Sequence, residues 1–266
     1  MKNTDRYVPK YISPDEFTEI INTVRKANDL QSEIIIYLMY STGMRLGEVL
    51  GLTLEDIDVI ENEDNVIPIL RLRNRLSDKR FQFAKLQQHV KTQKEYSSRS
   101  YKAGTTNLVV SHHMYDKLLG YVGEMYAKEL KGRPERLKRA EADLVSNDTD
   151  LNFNYYLFLN KYGKPLSDQV WNRRLREYFI QSHVPVDIGK KENNLSHRFR
   201  HGFAMLHTLY TDKPIGHLEL QKLMRHRSVA STMVYYNPTP KDEIELKSKY
   251  QENLYKNTPG IACEEL

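Results

Sequence analysis

Cysteine is almost absent from this 266-residue chain, which holds only Cys263, close to the C-terminus. One cysteine excludes an internal disulfide, and one chain cannot build a thiolate zinc site from it. A reducing compartment fits this composition, and the chain is expected in the cytoplasm. Long apolar runs are missing as well. The longest compact one, around Ile34–Tyr40, falls well short of the roughly 18 residues a membrane span needs. The stretch from Met1 to Lys10 is polar and lacks the apolar centre of a secretion signal. No membrane partner is expected. Charge of one sign is in only slight excess. The formal net charge of +5 permits a polyanionic partner without requiring one. What remains is ordinary: 39% hydrophobic and 28% charged residues, in a length that can bury a substantial core.

Hydrophobic periodicity divides the chain into helical ends and a strand-like middle. Ser13-Pro14-Asp15-Glu16 forms a capping box, with proline at the first helical position. Phe17, Ile20, Ile21 and Val24 follow at helical spacing. A second apolar helix is predicted from Leu30 to Tyr40, a break at Ser41-Thr42-Gly43, and a short helix from Arg45 to Leu52. Ile57–Val59, Val66–Leu72, Arg80–Phe83 and Leu108–Val110 carry β-branched and aromatic residues at strand-like spacing. The region reads as a small antiparallel sheet with a long exposed connection between Asp78 and Thr106. Helices resume over His112–Glu129. They recur, after the highly charged stretch Gly132–Asp150, over Asp168–Gln181, Ser196–Tyr210, Ile215–Met224 and Ser228–Tyr235. The fold class is mainly α with a small antiparallel β-sheet (α+β).

Three segments carry chemistry. In Thr42-Gly43-Met44-Arg45, an arginine follows a glycine turn at a helix start, and Glu48 lies three residues on, on the same helix face. Taken alone, this is a surface ion pair. In Leu195-Ser196-His197-Arg198-Phe199-Arg200-His201, Ser196 can cap the helix. His197 and Arg200 then share a face at its N-terminus, where unpaired N–H groups and the helix dipole favour an anion. Taken alone, this is a solvated basic turn, although its crowded basic groups would repel one another without an anionic ligand. The third segment runs from Leu223 to Tyr236, with His226 at a helix end and Tyr235 nine residues later. Taken alone, Tyr235 is one of 18 tyrosines, and a lone tyrosine is by default a core aromatic.

Together the three segments resemble the tyrosine recombinases, the phage integrase family. The match is an arginine after a Thr-Gly turn with its following glutamate, a His-x-x-Arg pair, then a histidine and a tyrosine nine residues apart. The resemblance spans about Ser13 to Tyr250. It implies a catalytic set of Arg45, His197, Arg200, His226 and Tyr235, with double-stranded DNA as partner. A free phenol has a pKa near 10, so only about one tyrosine in a thousand is ionised at neutral pH. It needs a base or a strong positive field. Arg45 and Arg200 can hold the non-bridging oxygens of a phosphate as charge builds in the transition state. The resemblance gives His197 a part in proton transfer with Tyr235, and His226 a contact to the scissile phosphate. It implies a 3′-phosphotyrosyl intermediate and a 5′-hydroxyl, with no metal or nucleotide cofactor.

The family also uses a lysine in its β-hairpin as general acid. Lys85, after Phe81-Gln82-Phe83-Ala84, is favoured here, with Lys91 and Lys102 as alternatives. Tyr236 is an inconvenient neighbour of Tyr235. Adjacent helical residues point about 100° apart, so both are not expected at one phosphate. Residues 1–12 read as a linker and 13–266 as the catalytic domain, with the family's N-terminal DNA clamp expected to be absent. Ile244, Leu246, Tyr250, Leu254 and Tyr255 give the tail an apolar face. In the family such a tail docks on a neighbouring protomer of a tetrameric synapse; folding back on its own domain is the alternative. The expected activity is site-specific recombination or integration at the nucleoid. The rivals are type IB topoisomerase-like cleavage without partner exchange and a non-catalytic DNA-binding module.

Overall fold

The computed structural model describes residues 10–62, 65–72, 106–126, 156–161, 165–186, 195–226, 228–236, 244 and 247–252. Helix α1 (Pro14–Lys26) begins with the expected capping box: Glu16 N–H donates to Ser13 Oγ at 3.2 Å, and Ser13 N–H donates to Glu16 Oε2 at 2.9 Å. Helix α2 (Leu30–Thr42) is apolar around its whole circumference, with Ile34, Ile35, Ile36, Leu38 and Met39 fully buried. Such a helix belongs at the centre of a domain. It ends at Gly43, whose φ of 62° is the left-handed C-terminal turn that glycine adopts without cost. A Cβ at Gly43 would also lie 2.6 Å from Phe203 Cδ1. Both conformation and space therefore require glycine here. Helix α3 (Leu46–Leu50) follows at once.

The sheet has three antiparallel strands in the order β1 (Ile57–Asn62), β2 (Asn65–Leu72) and β3 (Thr106–Val109). Ile57 pairs with Leu70, and Leu72 with Thr106. The connection 73–105 therefore leaves and re-enters the sheet at paired residues. The strand expected at Arg80–Phe83 lies outside the described residues, as does Gly132–Asp150. The helix expected over His112–Glu129 is α-helical only over α4 (His112–Gly120). It then widens into a π-helical turn, Tyr121–Tyr126, and residues 127–129 are not described.

Helix α5 (Asp168–Gln181) is capped by Ser167, whose Oγ accepts from Val170 N–H at 3.3 Å. Helix α6 (Leu195–Thr208) starts one residue before the expected cap, and Ser196 does not serve as one. It is buried, and its Oγ accepts the indole N–H of the fully buried Trp171 at 2.9 Å. Helix α7 (His217–Leu223) and the short α8 (Ala230–Met233) follow, the latter running into a 3-10 turn over Val234–Tyr236. The main core unites α1, α2, α5 and the start of α6. A second, smaller core joins the rest of α6 to α7, and it includes Tyr235. The site lies where the two cores meet. No helix among the described residues is long and apolar enough to cross a membrane.

Candidate active site

Helix α6 passes between the two segments that it must bring together. Arg200 sits on its second turn, and its guanidinium donates from Nη1 to Gly43 O and from Nη2 to Met224 O. One buried side chain thus ties the end of α2 to the end of α7. Arg225 repeats the arrangement from the other side. Its Nη2 donates to Gly43 O at 3.1 Å and to Glu48 Oε2 at 2.9 Å, and its Nη1 to Thr42 O at 3.3 Å. Arg225 is also a non-glycine residue at φ 52°, which turns the chain sharply after α7. Sequence reasoning assigned Arg225 no role, since neither a left-handed backbone nor a buried guanidinium shows in the residue name.

Glu48 corrects a second expectation. The pair with Arg45 is not at the surface, because the Glu48 side chain is 0% exposed. Its carboxylate accepts from Arg45 Nη1 and Arg45 N–H, both at 2.8 Å, as well as from Arg225. Burial would raise its pKa. Arg225, the Arg45 N–H, and the charges of Arg45 and Arg200 outweigh that and hold it below the usual value. Arg45 is thereby oriented, with its side chain still 29% exposed. The basic run on α6 is also divided. Arg198 turns away from the site, donates to Pro185 O at 2.6 Å and lies over the Phe179 ring.

The two remaining elements bring in histidines and the tyrosine. Nδ1 of His226 is 2.9 Å from Oγ1 of the fully buried Thr232, and its ring stacks on Tyr235 with centroids 6.1 Å apart and planes 7° apart. Tyr235 is 6% exposed, and its Oη lies 2.6 Å from Nδ1 of His201. His197, one helical turn before His201, is exposed on the same face, their centroids 6.1 Å apart. Among the described residues, the hydrogen bond at Tyr235 Oη is to His201 rather than to His197. His201 was missed by sequence reasoning, although its i+4 spacing from His197 was a usable signal. Tyr236 is directed elsewhere, its hydroxyl donating to Ile215 O at 2.8 Å. Arg45, Arg200, His226 and Tyr235 are therefore brought together, with His197 beside them. Lys85, Lys91 and Lys102 lie outside the described residues. Among the described residues no group of His, Cys, Asp and Glu side chains is arranged to hold a metal ion.

Among the described residues the site has three guanidinium groups, from Arg45, Arg200 and Arg225, against one carboxylate, from Glu48. Burial and Arg45 pull the Arg200 pKa down to about 9, so it stays charged at neutral pH. Burial, followed by Arg200, Arg45 and Arg225, lowers His226 to about 4. Burial, followed by His197, Arg200 and His226, lowers His201 to about 3. Burial pushes Tyr235 up to about 12, against the opposing pull of Arg200 and Arg45. Tyr235 is thus held as a neutral phenol beside positively charged neighbours.

These histidines have a measurable consequence. Their folded pKa values lie below the ordinary 6.5, so the unfolded chain takes up protons first as pH falls. Native stability is full above about pH 6.5 and declines below it, by at most about 1.4 kcal/mol per pH unit for each histidine. Urea midpoints measured from pH 7 to 5 are expected to fall for the native sequence. The slope should be shallower for His226→Asn, and an unchanged slope would rule out a native His226 held neutral.

Comparison with known proteins agrees with this geometry. The phage integrase family matches residues 10–242. Tyrosine recombinase XerD of Staphylococcus saprophyticus is 22% identical over 250 residues, covering 93% of this chain and 63% of that protein. XerD of Staphylococcus aureus strain N315 is 22% identical over 233 residues, covering 87% of this chain and 59% of that protein. The chain thus spans less than two thirds of the length of these relatives. Among solved structures, XerA recombinase superposes with a TM-score of 0.56 at 18% identity, over 92% of this chain and 66% of that one. The Tn1549 transposon integrase, in complex with transposon right end DNA, gives 0.54 at 14% identity, over 95% and 68%. At such identities these two share the fold.

Proposed function

Because the chain belongs to the phage integrase family, we propose that it cleaves and rejoins DNA strands through Tyr235 as a site-specific recombinase or integrase. The observation that carries this reading is the convergence of Arg45, Arg200, His226 and Tyr235 around an uncompensated positive charge. Among the described residues this is a mostly buried cluster of three cations and one anion, which is costly unless a further anion completes it. A phosphodiester is that anion. Tyr235 Oη attacks the scissile phosphorus and the bond to the 5′-oxygen breaks, leaving a 3′-phosphotyrosyl link. The phenol proton passes to a base in the site, and the departing 5′-oxygen takes a proton from a general acid. Arg45 and Arg200 stabilise the added charge on the non-bridging oxygens. With Nδ1 engaged by Thr232, His226 has Nε2 for a phosphate oxygen. His197 assists proton transfer. The general acid is a lysine of connection 73–105, with Lys85 favoured over Lys91 and Lys102. Attack by another strand's 5′-hydroxyl on the phosphotyrosine rejoins the DNA, and no cofactor takes part.

A homotetrameric synapse on DNA fits the tail, where Ile244 is 72% and Tyr250 66% exposed. Their apolar surface suits docking on a neighbouring protomer, and the place of action is the cytoplasmic nucleoid. The test is to incubate the chain with nicked duplexes bearing candidate element ends, whose cleaved fragment diffuses away. A covalent protein–DNA adduct that maps to Tyr235 is expected, with joining of two cleaved duplexes in trans. An adduct without joining in trans would make this a topoisomerase-like enzyme. No adduct on any end would leave a DNA-binding module and overturn the reading.

A further inference from the structure

The hydroxyl of Tyr235 is held by a residue that the signature of the site does not contain. Tyr235 lies in the smaller core, in one cluster with Phe203, Met205, Leu220 and Met224. It sits at the end of two short elements, α8 and the 3-10 turn, which do little by themselves to fix a long side chain. Its phenol stays protonated, with burial raising its pKa to about 12. A buried hydroxyl hydrogen needs an acceptor. Among the described residues the atom that offers one is His201 Nδ1, at 2.6 Å, with the two rings 5.6 Å apart and inclined by 48°. His201 is neutral, held so by burial and its positive neighbours. A neutral imidazole that accepts at Nδ1 carries its hydrogen on Nε2.

The platform under His201 is rigid. A Cβ on its neighbour Gly202 would lie 2.5 Å from the Tyr40 ring and 2.6 Å from Ile12 O, so α6 is seated tightly against α2 and the entering chain. Ile12 N–H donates to Arg198 O at 3.1 Å just before it. Arg200, on the same turn, is locked to Gly43 O and Met224 O. A histidine on this helix therefore measures the tyrosine oxygen against the same frame that holds the phosphate-binding arginines.

We infer that His201 is a further member of the catalytic set, which accepts the Tyr235 hydroxyl hydrogen at Nδ1 and so fixes the nucleophilic oxygen relative to Arg200. This rests on the proposed role of Tyr235 in strand cleavage. His201 acts by placing the oxygen, and a fixed acceptor at the position of Nδ1 is sufficient. The amide of asparagine can supply one; a methyl group cannot. Displacing a reacting atom by about 1 Å can slow a reaction by about 100-fold.

The test is the single-turnover rate of adduct formation on nicked duplexes. His201→Ala is expected to be slower by about 10–100-fold, and His201→Asn to recover most of that loss. Equal rates for the native sequence and His201→Ala would overturn the assignment. So would His201→Asn being as slow as His201→Ala, since proton uptake by imidazole would then be required. A native chain that forms no adduct would instead overturn the role of Tyr235. A second measurement needs no DNA and no loss-of-packing variant. In 15N NMR at neutral pH, His201 Nδ1 is expected to be unprotonated and hydrogen-bonded, and its resonance to move in Tyr235→Phe. A protonated Nδ1, or a resonance indifferent to Tyr235→Phe, would overturn the inference.

Discussion

Tyr235→Phe is expected to abolish covalent adduct formation on nicked DNA, while Tyr236→Phe retains it. The first substitution removes the oxygen proposed to attack phosphorus, so the loss should reach the background of the assay. Folding should survive it. The ring keeps its place in the smaller core and its stacking on His226, and losing one hydroxyl hydrogen bond costs about 1 kcal/mol. Tyr236 is a stringent control because it is the same residue type one position away. Its hydroxyl donates to Ile215 O, whereas that of Tyr235 meets His201, and losing the bond to Ile215 is expected to leave the site untouched. An adduct that persists in Tyr235→Phe and disappears in Tyr236→Phe would exchange their roles. The pH response follows from the same environment. With a pKa of about 12, only about one Tyr235 in a hundred thousand is ionised at pH 7 in the unoccupied site. The proposed cleavage is therefore expected to remove the proton during attack rather than rely on a standing phenolate. The rate should vary less steeply with pH than the tenfold per unit that a pre-formed phenolate would give.

What the sequence made legible and what it did not follow a physical line. Local chemistry was readable. The capping box at Ser13 and the apolar helix from Leu30 are each written in a few adjacent residues, and the structure has both; the break expected over Ser41-Thr42-Gly43 falls at Gly43, with the helix running on to Thr42. The linear order of Arg45, His197, Arg200, His226 and Tyr235 was readable because each anchors a short motif. Long-range partnership was not. Ser196 looks like a cap and instead serves Trp171, a residue 25 positions away. Glu48 looks like the surface partner of Arg45, yet it is buried and pairs as well with Arg225, 177 positions along the chain. His201 was visible as one more basic group, and its role depends on where Tyr235 falls in three dimensions. The π-helical turn at Tyr121–Tyr126 left no mark, since its composition suits an ordinary helix.

Glu48→Ala is expected to be the most destabilising single change in the site. The carboxylate is the shared acceptor of two guanidinium groups and one backbone N–H, and among the described residues it is the anion that faces Arg45, Arg200 and Arg225. Its removal leaves a cavity, a buried Arg225 with carbonyl acceptors but no counter-charge from Glu48, and three cations in mutual repulsion. Deleting one partner of a buried ion pair costs about 3–5 kcal/mol, equivalent for a domain of this size to a fall in melting temperature of about 6–20 °C. Glu48→Gln separates shape from charge. It can still accept from Arg225 and fills the same space, but it removes the compensating charge, so an intermediate loss is expected. The sign of the pH dependence is fixed as well. A carboxylate whose folded pKa lies below its unfolded value contributes full stability above the unfolded pKa and loses it as pH falls through the folded one. The gap between the native sequence and Glu48→Gln should therefore narrow below about pH 4.5. Equal urea midpoints for the native sequence and Glu48→Ala at neutral pH would show that the two arginines do not depend on this carboxylate. Added phosphate or a DNA duplex should partly restore the variant's stability by supplying the missing negative charge. That rescue distinguishes a frame built for an anion from one that merely packs well.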